Sequence, residues 1–76
     1  MYQITATNPE GSIVKQFNTD YNGALNIARR TLLAVHRISE DTADLRAMRW
    51  LAAVGEQDCT FEQSESGARV YICVGE

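Results

Sequence analysis

With 76 residues and 45% hydrophobic content, the chain makes a single domain over residues 1–76, at the small end of what folds unaided. A net charge of −3 excludes a protein that seeks polyanions with its whole surface. The two cysteines lie in no CxxC motif and no His/Cys cluster, which excludes a zinc site of ordinary spacing, and no stretch approaches membrane-spanning length.

Residues 2–7 alternate, with Tyr2, Ile4 and Ala6 on one face and Gln3, Thr5 and Thr7 on the other, as in a half-buried strand. Gln3, Thr5 and Asn8 interrupt any apolar run, so the start of the chain reads as strand rather than signal peptide, and the expected location is the cytoplasm. Asn8-Pro9-Glu10-Gly11 is a turn, with Pro9 presetting φ and Gly11 able to take positive φ. Residues 12–17 form the return strand. Two registers compete. Thr7 opposite Ser12 sets Ile4 against Lys15 and Tyr2 against Phe17 and gathers the apolar groups on one face. A three-residue loop with a bulge at Gly11 pairs Asn8 with Ser12 and sets Phe17 against Gln3. Burial favours the first, and the Pro-Glu-Gly chemistry also suits the second.

Residues 20–38 carry the clearest helical period. Tyr21, Ala24, Leu25, Ile27, Ala28, Thr31, Leu32, Val35 and Ile38 share one broad side, and Asn22, Asn26, Arg29, Arg30 and Arg37 the other. Thr19 or Asp20 caps this helix. Gly23, on the polar side, costs about 1 kcal/mol relative to Ala and suggests a close approach to the preceding hairpin. Leu33 breaks the pattern by pointing out among the arginines.

The second helix is expected over about 42–54, started by an Asp41/Asp44 capping box and stopped by Gly55. Its apolar groups nearly encircle it. Ala43, Ala47, Trp50, Leu51 and Val54 form one stripe, and Leu45, Met48 and Ala52 another. So much apolar surface suggests a second face for a partner, with the Trp50 stripe as the partly exposed one.

Residues 59–63 and 69–74 are two more strands around a Ser64-Glu65-Ser66-Gly67 turn. With Ser64 opposite Gly67, Phe61 and Cys59 face inward against Val70 and Ile72, and Glu62 faces Arg69 on the outside. A bulged register brings Cys59 opposite Cys73 but sets Glu62 and Thr60 against Val70 and Ile72. The first is favoured, which leaves two reduced thiols on different faces. Residues 70–74 are the strongest β run and the candidate central strand. The fold class is therefore α+β in the order β-β-α-α-β-β, a four-stranded antiparallel sheet with two helices packed on one face and its strand order open.

No residues assemble into an enzyme signature, a metal site or a cofactor motif. His36 is the only histidine and reads as a boundary residue. Glu40, Asp41 and Asp44 at a helix start read as capping and dipole residues. The arginines carry more. Residues 29–49 hold five of them against three acids, a net of +2, while residues 55–76 hold a net of −4. Asn26, Arg30, Leu33 and Arg37 make one ridge, flanked by Arg29 and His36. Arg29, Arg30, Leu33, Arg37, Arg46, Arg49 and Trp50 are the expected partner-binding residues, since guanidinium groups dock on carboxylates or phosphates and an apolar residue among them suits a protein interface.

The expected function is a small non-enzymatic protein-binding inhibitor that occludes a partner. In size, acidity and sheet-plus-two-helices layout the chain resembles the small phage and mobile-element inhibitors of host defence, such as anti-CRISPR proteins. No motif carries the resemblance. It implies a CRISPR effector subunit as partner and, for a phage-encoded chain, the host cytoplasm. The target would be blocked by an acidic surface mimicking nucleic acid or by a helix face. One alternative is an RNA- or DNA-binding module using the arginine ridge, opposed by the net charge and by the absence of interleaved aromatics. Another is a homodimeric structural protein burying the Trp50 stripe.

Overall fold

The structure, a computed structural model, describes residues 1–75. The elements run β1 (Tyr2–Thr7), β2 (Ile13–Thr19), α1 (Tyr21–Val35), α2 (Glu40–Gln57), β3 (Cys59–Gln63) and β4 (Arg69–Val74). The fold is α+β, a four-stranded antiparallel sheet of order β2-β1-β4-β3 with the helices packed against it. The β-rich segment 70–74 lies in a central strand, as its composition predicts.

Both hairpins turn by the same device. Asn8 N–H donates to the Ser12 carbonyl at 2.9 Å and Gly11 N–H to the Asn8 carbonyl at 3.0 Å. Ser64 N–H donates to the Ala68 carbonyl at 2.8 Å and Gly67 N–H to the Ser64 carbonyl at 3.0 Å. Gly11 and Gly67 take φ of 89° and 95°, a region that glycine enters without steric cost. Each is a three-residue loop closed by a glycine bulge. This corrects both registers that burial favours.

In the first hairpin the loop sets Thr7 opposite Ile13. A second bulge between Ala6 and Thr7 then takes up Val14, so that Ile4 opposes Phe17 and Ala6 opposes Lys15. The extra residue restores the facing that burial requires, with Phe17 on the Ile4 side. In the second hairpin no further bulge intervenes. Cys59 stands opposite Cys73, Thr60 opposite Ile72, Phe61 opposite Tyr71, Glu62 opposite Val70 and Gln63 opposite Arg69. The expected pair of separate reduced thiols is thus replaced by a Cys59–Cys73 disulfide, with Cα atoms 4.0 Å apart.

The core joins Ile4 and Ile72 of the sheet to Ala24, Ala28 and Leu32 of α1 and to Ala47, Trp50, Leu51 and Val54 of α2. Ala24, Ala28, Ala43 and Ala47 are fully buried. Their small side chains let the helices lie close to their neighbours.

The helix ends differ in detail from the sequence reading. Asp20 caps α1, its carboxylate accepting from Gly23 N–H at 2.8 Å. A Cβ on Gly23 would run into Thr19 Oγ1, so the suggested close approach to the hairpin is real. The cap of α2 is Ser39, whose Oγ accepts from Thr42 N–H at 3.2 Å, which corrects the Asp41/Asp44 box. Ser39 leaves Glu40 and Asp41 in the first turn, where their charge suits the positive helix end. The helix runs through Gly55 to Gln57, and Asp58 takes the left-handed position at φ 67°, its N–H donating to the Val54 carbonyl at 2.9 Å.

Candidate partner-binding surface

The outward side of α1 carries the expected ridge. Arg30 and Arg37 are exposed, and neither pairs with a carboxylate among the described residues. Arg29 is different. Its Nε lies 3.5 Å from Asp44 Oδ1, which ties α1 to α2 and makes it half-buried. Leu33 is also half-buried, so it projects less than its place among the arginines suggests.

On α2 the expectation about the stripes is reversed. Trp50 is 8% exposed and belongs to the core, as do Leu51 and Val54. The fold itself buries the stripe that the homodimer alternative would have used. The exposed stripe is the other one: Leu45 and Met48 are 52% and 53% exposed, with Ala52 beside them. At 100° per residue Leu45 and Ala52 point about 140–180° away from Ala47 and Val54, and Met48 about 100–120° away. Met48 also shares a shallow depression with Leu25, Asn26, Arg29 and Asp44 at the groove between the helices. The signal was present in the sequence. The stripe containing Ala43 and Ala47 has the small residues that close packing needs, and the Leu45 stripe has only larger groups and Ala52.

Arg46 and Arg49 lie on a different side of α2, toward β3. They are exposed, pair with no carboxylate among the described residues, and line a cleft of about 340 Å³ with Leu32, His36, Trp50, Ala53, Thr60, Phe61 and Glu62. Glu62 Oε2 lies 3.3 Å from His36 Nε2. This corrects the expected Glu62–Arg69 pair, because the observed register turns Glu62 to the helix side. The seven residues expected at the site therefore do not form one patch. Arg30, Leu33 and Arg37 lie on the outside of α1, Arg29 bridges to α2, and Arg46, Arg49 and the buried Trp50 border the cleft.

The register also places an aromatic group on the open sheet face that the sequence reading missed. Phe61 and Tyr71 lie side by side with ring centroids 5.2 Å apart. The Arg69 guanidinium lies 4.9 Å from the Phe61 centroid, and it donates to Gln63 Oε1 at 3.0 Å and to the Tyr71 hydroxyl at 3.1 Å. These contacts hold Arg69 within the chain rather than offering its full fork outward.

Among the described residues no three His, Cys, Asp or Glu side chains gather as a metal site, and no helix is long and apolar enough to cross a membrane. No protein-family model, no curated protein and no solved structure matches the chain.

Proposed function

We propose that the chain is a small non-enzymatic protein that binds a partner protein and occludes it with the outer surface of its two helices. The observation that carries this reading is the stripe of α2 turned away from the core, where Leu45 and Met48 are 52% and 53% exposed. Apolar area left in water forgoes about 25 cal/mol per Å² that a partner would supply on docking. Single exposed leucines are ordinary. Two large apolar groups one helical turn apart, with Arg29 and Asp44 beside Met48, have the makeup of an interface anchor with a charged surround. The unpaired guanidinium groups of Arg30 and Arg37 call for acidic groups on the partner.

The resemblance in size, acidity and layout to anti-CRISPR inhibitors makes a CRISPR effector subunit the first partner to test, in the cytoplasm of the host. Purified effector complexes are incubated with the wild-type chain, with Leu45→Glu/Met48→Glu and with Arg30→Glu/Leu33→Glu, and complex formation and target-DNA binding are measured. The expected result is a complex with the wild type that blocks target binding and is lost in Leu45→Glu/Met48→Glu. A wild-type chain that instead retains generic RNA or DNA on filters, with affinity falling steeply with salt, would replace occlusion with the nucleic-acid alternative.

A further inference from the structure

The cleft between α2 and β3 holds two polar atoms that the fold leaves unsatisfied. Trp50 Nε1 and Thr60 Oγ1 are both buried, and neither has a hydrogen-bond partner among the described residues. Trp50 and Thr60 both line this cleft. A buried donor left unmade costs on the order of 1–3 kcal/mol, so such atoms are rarely left together without a reason.

Most of the polar lining donates. The Trp50 indole can only donate, and so can the guanidinium groups of Arg46 and Arg49. These two arginines stand three residues apart on one side of α2, with no carboxylate partner among the described residues. The one acid in the cleft, Glu62, already has His36 Nε2 at 3.3 Å. Leu32 and Ala53 add apolar wall beside the Trp50 indole. The volume of about 340 Å³ is at the small end of ligand sites.

We propose that this cleft binds a small organic carboxylate carried on an apolar body of about one aromatic ring. The carboxylate meets the Arg46 and Arg49 forks, which match its planar geometry, and brings an acceptor to the Trp50 N–H and the Thr60 hydroxyl. The body lies against the wall of Leu32, Ala53 and the Trp50 indole. A bare phosphate would leave that wall wet and set a second negative charge near Glu62. The orphaned atoms are closed off from solvent, so ligand entry shifts the side chains around them and changes the surroundings of the indole. This proposal does not rest on the docking of a partner protein to α2.

Trp50 is the only tryptophan, so its indole N–H gives a single ¹H–¹⁵N resonance. Phenylacetate is titrated into the oxidised full chain while that resonance is followed. The expected result is a saturable shift. It is weakened roughly tenfold or more in Arg46→Gln/Arg49→Gln, the size of a lost charge-assisted hydrogen bond, and by a similar factor when neutral phenylacetamide replaces phenylacetate. Both arginines are exposed, so the double variant keeps the wild-type melting curve, which is checked in parallel. Thr60→Val is the second variant and weakens the shift without removing the arginines. No saturable shift at millimolar phenylacetate overturns the proposal. So does equal binding of the amide, or full competition by inorganic phosphate.

Discussion

Glu62 Oε2 lies 3.3 Å from His36 Nε2, joining the edge strand β3 to the end of α1 across 26 positions of sequence. The contact exists because β3 carries Glu62 on its helix-facing side, opposite Val70. A slip of one residue would send Glu62 to the other face and leave His36 alone. The two side chains keep 38% and 33% of their surface exposed, so solvent screens much of their attraction. Urea unfolding of His36→Ala, Glu62→Ala and the double variant should give a coupling of about 0.2–1 kcal/mol, the range of screened surface pairs. Additive effects within error would show that the pair contributes nothing to holding β3.

The Cys59–Cys73 bridge acts on the same strand. It closes a loop with a sequence separation of 14, for which the chain-entropy account gives about 3 kcal/mol of stabilisation. Reduction with dithiothreitol should therefore lower the melting temperature clearly, and Cys59→Ser/Cys73→Ser should melt with the reduced wild type. The far-ultraviolet circular dichroism at room temperature should stay close to native in both, since the core of the sheet lies on β1 and β4. Identical melting of oxidised and reduced protein would leave the bridge without a stabilising role.

Element order was legible in the sequence, and register was not, for a physical reason that both hairpins share. Burial of apolar groups argued for two-residue loops, whereas Gly11 and Gly67 each close a three-residue loop that slips the pairing by one. In the first hairpin Val14 is taken up as an extra residue and the apolar face recovers, at the expense of leaving Ile13 and Val14 59% and 65% exposed on the edge strand. The second hairpin has no such correction. Its helix-facing side therefore carries Thr60 and Glu62, and the open face receives Phe61 beside Tyr71. The cleft, its orphaned hydroxyl and the His36–Glu62 pair all follow from that single slip. Alternation alone gives no means of choosing between a glycine that closes a tight turn and one that forms a bulge.

Gly23 tests how tightly α1 is tied to β2. Replacing a mid-helix glycine by alanine ordinarily gains about 1 kcal/mol. Here the added methyl meets Thr19 Oγ1, at the end of β2 and one residue before the cap Asp20. Gly23→Ala should therefore be destabilising or neutral. Gly23→Ala/Thr19→Ala, which removes the hydroxyl, should be more stable than Gly23→Ala alone. Chemical denaturation of the three proteins decides it, and a full helix-propensity gain in the single variant would show that Thr19 simply rotates away.

The two apolar stripes of α2 separate folding from binding. Leu51 is 3% exposed and packs with Ile4, Ile72 and Leu32 in one cluster, so Leu51→Ala loses buried methyl groups and leaves a cavity, at a cost of about 2–5 kcal/mol. Leu45 and Met48 are 52% and 53% exposed and belong to no buried cluster. Leu45→Gln and Met48→Gln keep good helix formers on an exposed face, so each should change stability by no more than about 0.5 kcal/mol. If both glutamine variants instead unfold as readily as Leu51→Ala, the exposed stripe is structural, and the docking surface has to be sought on α1. If they melt with the wild type yet lose the partner, the apolar stripe is spare to the fold and used in binding, the division of labour an occluding protein of this size requires.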